Sequence, residues 1–122
     1  EKNIEDIFDF ELAEKIDKIP HAERFSAQDV FDMERKLSEV EAKLKQQIEE
    51  TEANQAKIDE LEKLIEELKG NLKRYPKKTW YTIALDRFQS FSRTKLKSET
   101  VKSLLKEGTK ELVKESVKSM FK

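Results

Sequence analysis

The sequence predicts an all-α protein, an elongated antiparallel helical hairpin or coiled coil preceded by a short N-terminal helix. Three observations carry this reading. Ala, Glu, Lys, Leu and Arg supply about half of the 122 residues, which is the composition of long helices and coiled coils. Two Gly and two Pro are the only strong breakers, far short of the turn every ten residues or so that a sandwich, barrel or doubly wound sheet requires. Apolar residues also recur at helical spacing along most of the chain. Leu, Ile, Val and Phe still make up roughly a quarter of the residues, which with so little net charge argues for a folded chain.

The first element is a short acidic amphipathic helix and linker over 1–24. Ile4, Ile7, Phe8, Leu12 and Ile16 share one face of a helix predicted over 3–18, its opposite face acidic, and Pro20 closes it.

A second start signal follows. Ser26 can cap a helix with Asp29 at its third position, and Phe25 and Val30 have the spacing of a hydrophobic staple. From there a seven-residue repeat runs unbroken, with Val30, Leu37, Leu44, Thr51, Ile58 and Ile65 at one seam position. Met33, Val40, Gln47, Asn54, Leu61 and Leu68 hold the other. The repeat predicts one coiled-coil helix within 25–72, whose roughly 44 helical residues would be about 66 Å long at 1.5 Å per residue. Its seam is polar in the middle, at Gln47, Thr51 and Asn54. Polar seam residues ordinarily fix register or partner; a hinge or docking site is the alternative.

A basic turn over 73–78 follows, between Gly70, read as a helix end, and Pro76, which forbids continuation. Thr79 then caps a basic helical arm over 79–122 with Trp80, Ile83, Ala84, Phe88 and Phe91 on one face, widened by Tyr81 and Leu85. Gly108 interrupts this arm, and Ser98 followed by Glu99 offers a fresh cap, so one helix or two remain open. Two stretches of nearly equal length joined by a short turn suggest an antiparallel hairpin. Lys recurs every fourth residue at 102, 106, 110, 114, 118 and 122. In a helix of 3.6 residues per turn such a stripe winds around the axis, as suits a helix wrapping across a partner.

The formal net charge of -1 conceals a polar chain. Residues 1–24 carry four basic and eight acidic groups, 25–72 seven and thirteen, and 73–122 fourteen and five. An acidic helix lying on a basic one would gain complementary edges. The positive charge is densest around the turn, where Lys69, Lys73, Arg74, Lys77 and Lys78 neighbour Tyr75, Trp80 and Tyr81. Cations and rings together suit single-stranded nucleic acid, the cations for phosphates and the rings for unpaired bases. The competing reading has Trp80 and Tyr81 closing the end of the hairpin core.

No catalytic constellation emerges. Cys is absent, and the single His21 lies in a connecting loop. There is no Gly-rich phosphate loop and no metal-ligand cluster, and the carboxylates follow solvated helix faces. The expectation is a protein that is not an enzyme and needs no cofactor or metal. With no apolar run near the 20 or so residues of a bilayer span, and no basic start or apolar core of a signal peptide, the expected location is cytoplasmic. The leading functional expectation is a non-catalytic adaptor or assembly protein acting through coiled-coil contacts with a protein partner or with itself as a homodimer, since the heptad seam needs a cover. The alternatives are a nucleic-acid binder using the basic and aromatic tip, and a C-terminal helix lying on an anionic membrane through Leu104, Leu105, Leu112, Val113, Val117 and Phe121.

Overall fold

The computed structural model describes residues 14–51 and 54–120, with side chains through residue 113. All regular structure among the described residues is helical. Four helices follow in order: α1 (Ala27–Thr51), α2 (Gln55–Asn71), α3 (Lys77–Lys95) and α4 (Glu99–Met120). A single helical turn at 14–17 precedes them. Residues 3–13 of the helix expected over 3–18 fall outside the description, as do the side chain of Val117 and the whole of Phe121.

α1 begins where the capping signal places it. The Asp29 amide donates to Ser26 Oγ and the Ser26 amide donates to Asp29 Oδ2, each at 3.1 Å, a reciprocal capping box.

The single long helix expected over 25–72 is two helices. α1 ends at Thr51, and Asn54, in extended backbone with φ -125°, caps α2 by accepting the Ala56 and Lys57 amides on its side chain. The physical reason lies in the seam itself. Gln47, Thr51 and Asn54 offer no apolar knobs to hold a continuous rod together, and Asn stabilises a helix start far better than a helix interior. The chain folds back there, and Lys45 pairs with Glu62 at 2.6 Å while Lys69 donates to Ser38 at 2.6 Å. Both contacts fit one antiparallel register centred on the break. The 25-residue α1 is therefore about 37 Å long.

The basic arm is likewise two helices. α3 ends before Leu96, and Ser98 caps α4 through its hydroxyl, which accepts the Val101 amide at 3.4 Å. α1 packs on α2 and α4, and α3 packs on the same two. Arg87 and Lys95 of α3 pair with Glu67 and Glu60 of α2 at 2.8 and 3.0 Å, so acidic and basic helices do align by charge, as the segment charges suggest. The Tyr81 hydroxyl of α3 donates to the Leu112 carbonyl of α4 at 3.3 Å. The result is a ring of four antiparallel neighbours, an up-down-up-down bundle of two packed hairpins.

Two breakers and one expected cap behave differently from expectation. Gly70 lies inside α2, one residue short of its end. Thr79 is the third residue of α3, whose N-cap is Pro76 without a side-chain bond; a fixed φ near -65° suits Pro to a helix start. Gly108 lies within α4 at its crossing with α1, where a Cβ would stand 3.1 Å from Val40 Cγ2. That close approach favours the residue without a side chain, since a Cβ would have to push the Val40 methyls aside by a few tenths of an ångström.

Candidate functional site

The turn between α2 and α3 was expected to present cations and rings together. The structure divides them. Trp80 and Tyr81 are 0% and 2% exposed and so close the core, as the competing reading had it. Trp80 donates its indole N–H to the Leu68 carbonyl at 2.8 Å. Phe25 stands edge-on to Trp80 at 5.6 Å and tilted to Tyr81 at 5.9 Å. Tyr75 is half-buried against the core. Stacking on these rings is closed to a base unless the bundle opens.

The cations divide in the same way. Lys77 is only 5% exposed, with its ammonium 3.4 Å from Glu23 and 3.5 Å from Asp29 and lying over the Phe25 ring at 5.7 Å. Its backbone N–H donates to the Glu23 carbonyl at 2.8 Å. Lys78 reaches the Asp17 carbonyl at 3.1 Å and its carboxylate at 3.8 Å. Two lysines in the first turn of α3 oppose the helix dipole, and the acidic segment 14–29 supplies the compensating charge. Lys69 is held by Ser38. Of the residues expected to contact an anion, Lys73 and Arg74 alone stand exposed in the turn without an ion pair among the described residues.

Asp29 shows the local electrostatics. Burial pushes its carboxyl up, but the Ser26 amide and the Lys77 charge outweigh burial and hold it below the usual carboxylate value.

The heptad residues are buried within the one chain. Val30, Met33, Leu37, Leu44, Ile58, Leu61, Ile65 and Leu68 all lie in the core, and Val40 packs half-buried against it. Gln47 is half-buried, and Thr51 and Asn54 are exposed at the break. α1 and α2 pack on each other and α3 and α4 pack on them, so these seam residues are covered within the one chain. Of the apolar residues of the membrane reading, Leu105, Leu112 and Val113 lie in the core and Leu104 is half-buried against it.

The surface feature that remains is a groove of about 410 Å³ between α1 and α4. Its floor is Val40, Leu44, Leu104, Leu112 and the Gly108 backbone. The α1 wall carries Lys36, Glu39 and Lys43, and the α4 wall carries Glu107 and Glu111. A smaller groove of about 260 Å³ lies between α2 and α3, where Arg87–Glu67 and Lys95–Glu60 bridge from one wall to the other. In the larger groove, Glu39, Lys43, Glu107 and Glu111 enter no ion pair among the described residues. The smaller groove is strapped by its own charges, and in the larger one Lys36 is engaged while the other four charged side chains stand outside those pairs.

No family model, no curated protein and no solved structure matches the chain.

Among the described residues every buried side-chain nitrogen or oxygen has a hydrogen-bond partner, and no three His, Cys, Asp or Glu side chains gather as a metal site would require. No helix among them is long and apolar enough to cross a membrane. In the sequence Leu104 and Leu112 read as part of a membrane-facing stripe and Gly108 as an interruption of the arm. Their pairing with Val40 and Leu44 depends on the fold-back at Asn54, which the unbroken heptad concealed.

Proposed function

We propose that the chain is a non-catalytic helical adaptor that works through protein contacts on the outside of the bundle. The observation that carries this reading is the division of apolar surface. The heptad seam is consumed internally, while the α1–α4 groove keeps the half-buried Val40 and Leu104 beside Glu39, Lys43, Glu107 and Glu111, which enter no ion pair among the described residues. Fully partnered buried polar groups support a scaffold more than a reaction centre, where perturbed or orphaned groups tend to cluster. Burial of Trp80 and Tyr81 weighs against the nucleic-acid reading, which keeps Lys73, Arg74 and the half-buried Tyr75. Burial of Leu105 and Leu112 asks the membrane reading to unpack α4 first.

The test is site-directed photo-crosslinking in cells, with the photoreactive group placed in turn at exposed positions of each helix: Lys43, Glu66, Arg93 and Glu107. The reading expects one protein of defined mass to be captured from a contiguous pair of positions and lost from the others. Adducts with nucleic acid alone, or none from any position, would overturn it.

A further inference from the structure

The seam keeps its phase across a break that has no use for it. Leu44 in α1 and Ile58 in α2 stand two heptads apart, as do Gln47 and Leu61, although α1 stops at Thr51 and α2 starts at Gln55. A turn lets each helix of a hairpin face its own apolar side inward, so the closed chain needs no common phase, and only about one spacing in seven would keep it. A helix running through the break needs that phase throughout. What separates the two helices is the Asn54 side chain, which accepts the Ala56 and Lys57 amides at 3.0 and 3.4 Å. In a continuous helix backbone carbonyls would take those amides instead.

Straightening the break would carry α1 away from α2 and α4, and a second straightened copy would restore what is lost. The hairpin register is centred on the break. Two copies laid antiparallel in that register bring Lys45 to the partner's Glu62 and Lys69 to the partner's Ser38, pairs that stand at 2.6 Å within the one chain. Val40 meets the partner's Gly108 and Glu23 the partner's Lys77 in the same way. The two-fold axis falls between Thr51 and Asn54, so the polar stretch of Gln47, Thr51 and Asn54 from both copies meets at the centre, where polar seam residues fix register. We infer that two copies of this chain exchange residues 14–51: Ala27 to Asn71 becomes one helix about 67 Å long, and each α1 packs on the α2 and α4 of the other copy. The surface exchanged is the surface the closed chain already buries, which makes exchange a low-cost route to a dimer. The exchanged pair carries its two bundles at opposite ends of one antiparallel rod and displays the outer surface twice, so a partner with two matching sites is held by both. The inference goes beyond the adaptor reading and does not depend on it.

The experiment uses the full chain, in which no native Cys competes. Lys45→Cys and Glu62→Cys, made in separate chains, are mixed at millimolar concentration, diluted, and treated with a short bis-maleimide. The mixture should give about tenfold more covalent dimer on a denaturing gel than either variant alone, since the two thiols share high effective concentration only when α1 of one copy lies on α2 of the other. Light scattering should show a dimer whose share grows with the concentration of incubation. Asn54→Leu removes the cap and fills the seam, and should raise the dimer association constant about a hundredfold, about tenfold for each copy. Insertion of Gly-Ser after Thr51 lengthens a turn that the hairpin tolerates but throws the two seams out of phase, so the dimer should vanish with helicity retained. The insertion decides the matter if Asn54→Leu fails to fold. A chain that stays monomeric at every concentration, a dimer that the mixture links no better than either variant alone, or a dimer unmoved by the insertion would overturn the inference. None of these results touches the adaptor reading, which stands or falls by its own crosslinks.

Discussion

The Trp80 indole reaches back across the α2–α3 turn and donates to the Leu68 carbonyl at 2.8 Å, fully buried. Leu68 is among the last four residues of α2, whose carbonyls a helix leaves short of partners. One side chain thus fills the core at the mouth of the second hairpin and completes the end of the helix before it. Trp80→Phe keeps a ring but removes the donor and some volume, and should lower unfolding free energy by about 1–3 kcal/mol. Urea denaturation followed by circular dichroism reads this, and an unchanged midpoint would show that the bond contributes nothing.

Asp29 joins the α1 cap to the start of α3 through Lys77. Because its folded pKa is depressed, its contribution is present above the unfolded value of 3.8 and is lost as pH falls through the folded value. Asp29→Asn should therefore be less stable than the parent at neutral pH, and the difference should shrink as the pH is taken below about 4. Paired denaturation curves across that range make the measurement; a gap that widens toward acid would contradict the assignment.

Asn54 decides where the first hairpin turns. Asn54→Ala removes the cap and should cost about 1 kcal/mol, seen as a lower thermal midpoint. Replacing Gln47, Thr51 and Asn54 together by Leu completes the heptad and should favour a continuous rod that pairs with a second copy. Analytical ultracentrifugation with small-angle scattering would then show a larger, longer particle. A compact particle of unchanged mass would mean that the break does not depend on these side chains.

Gly108 sets helix propensity against space. Alanine there should gain about 1 kcal/mol of propensity, but its Cβ meets two Val40 methyls at 3.1 and 3.3 Å. Made in a Val40→Ala background, Gly108→Ala should stabilise by most of that gain, and in the parent by clearly less. Equal effects in the two backgrounds would show that Val40 yields without cost.

The serine caps were legible in the sequence because they depend on neighbouring residues, whereas Gly70, Thr79 and Gly108 misled because a single residue does not decide where a packed helix stops. Ser26 with Asp29, and Ser98 before Glu99, mark helix starts through bonds three residues long. The alternation of seam residues identified the core of α1 and α2 nearly residue by residue, because burial against any antiparallel partner uses the same face. The choice of partner was hidden. A heptad is compatible with a second copy, with one long arm or with two short ones, and the few polar positions at Gln47, Thr51 and Asn54 decide among them. The tip misled for a related reason. Lys77, Trp80 and Tyr81 look like a binding surface until segment 14–29, distant in sequence, is laid over them.

That overlay has a consequence for the order of assembly. The contacts of the first hairpin join residues 17 and 31 apart, Lys45 with Glu62 and Lys69 with Ser38, whereas the clasp of Lys77 on Glu23 spans 54. Closure entropy grows with loop length, and distant contacts form after near ones. The lysine that receives Glu23 and the rings that receive Phe25 do not exist until synthesis has passed residue 81. The segment made before α1 is thus among the last to be sealed, and a chain cut short within α2 has nothing to seal it with.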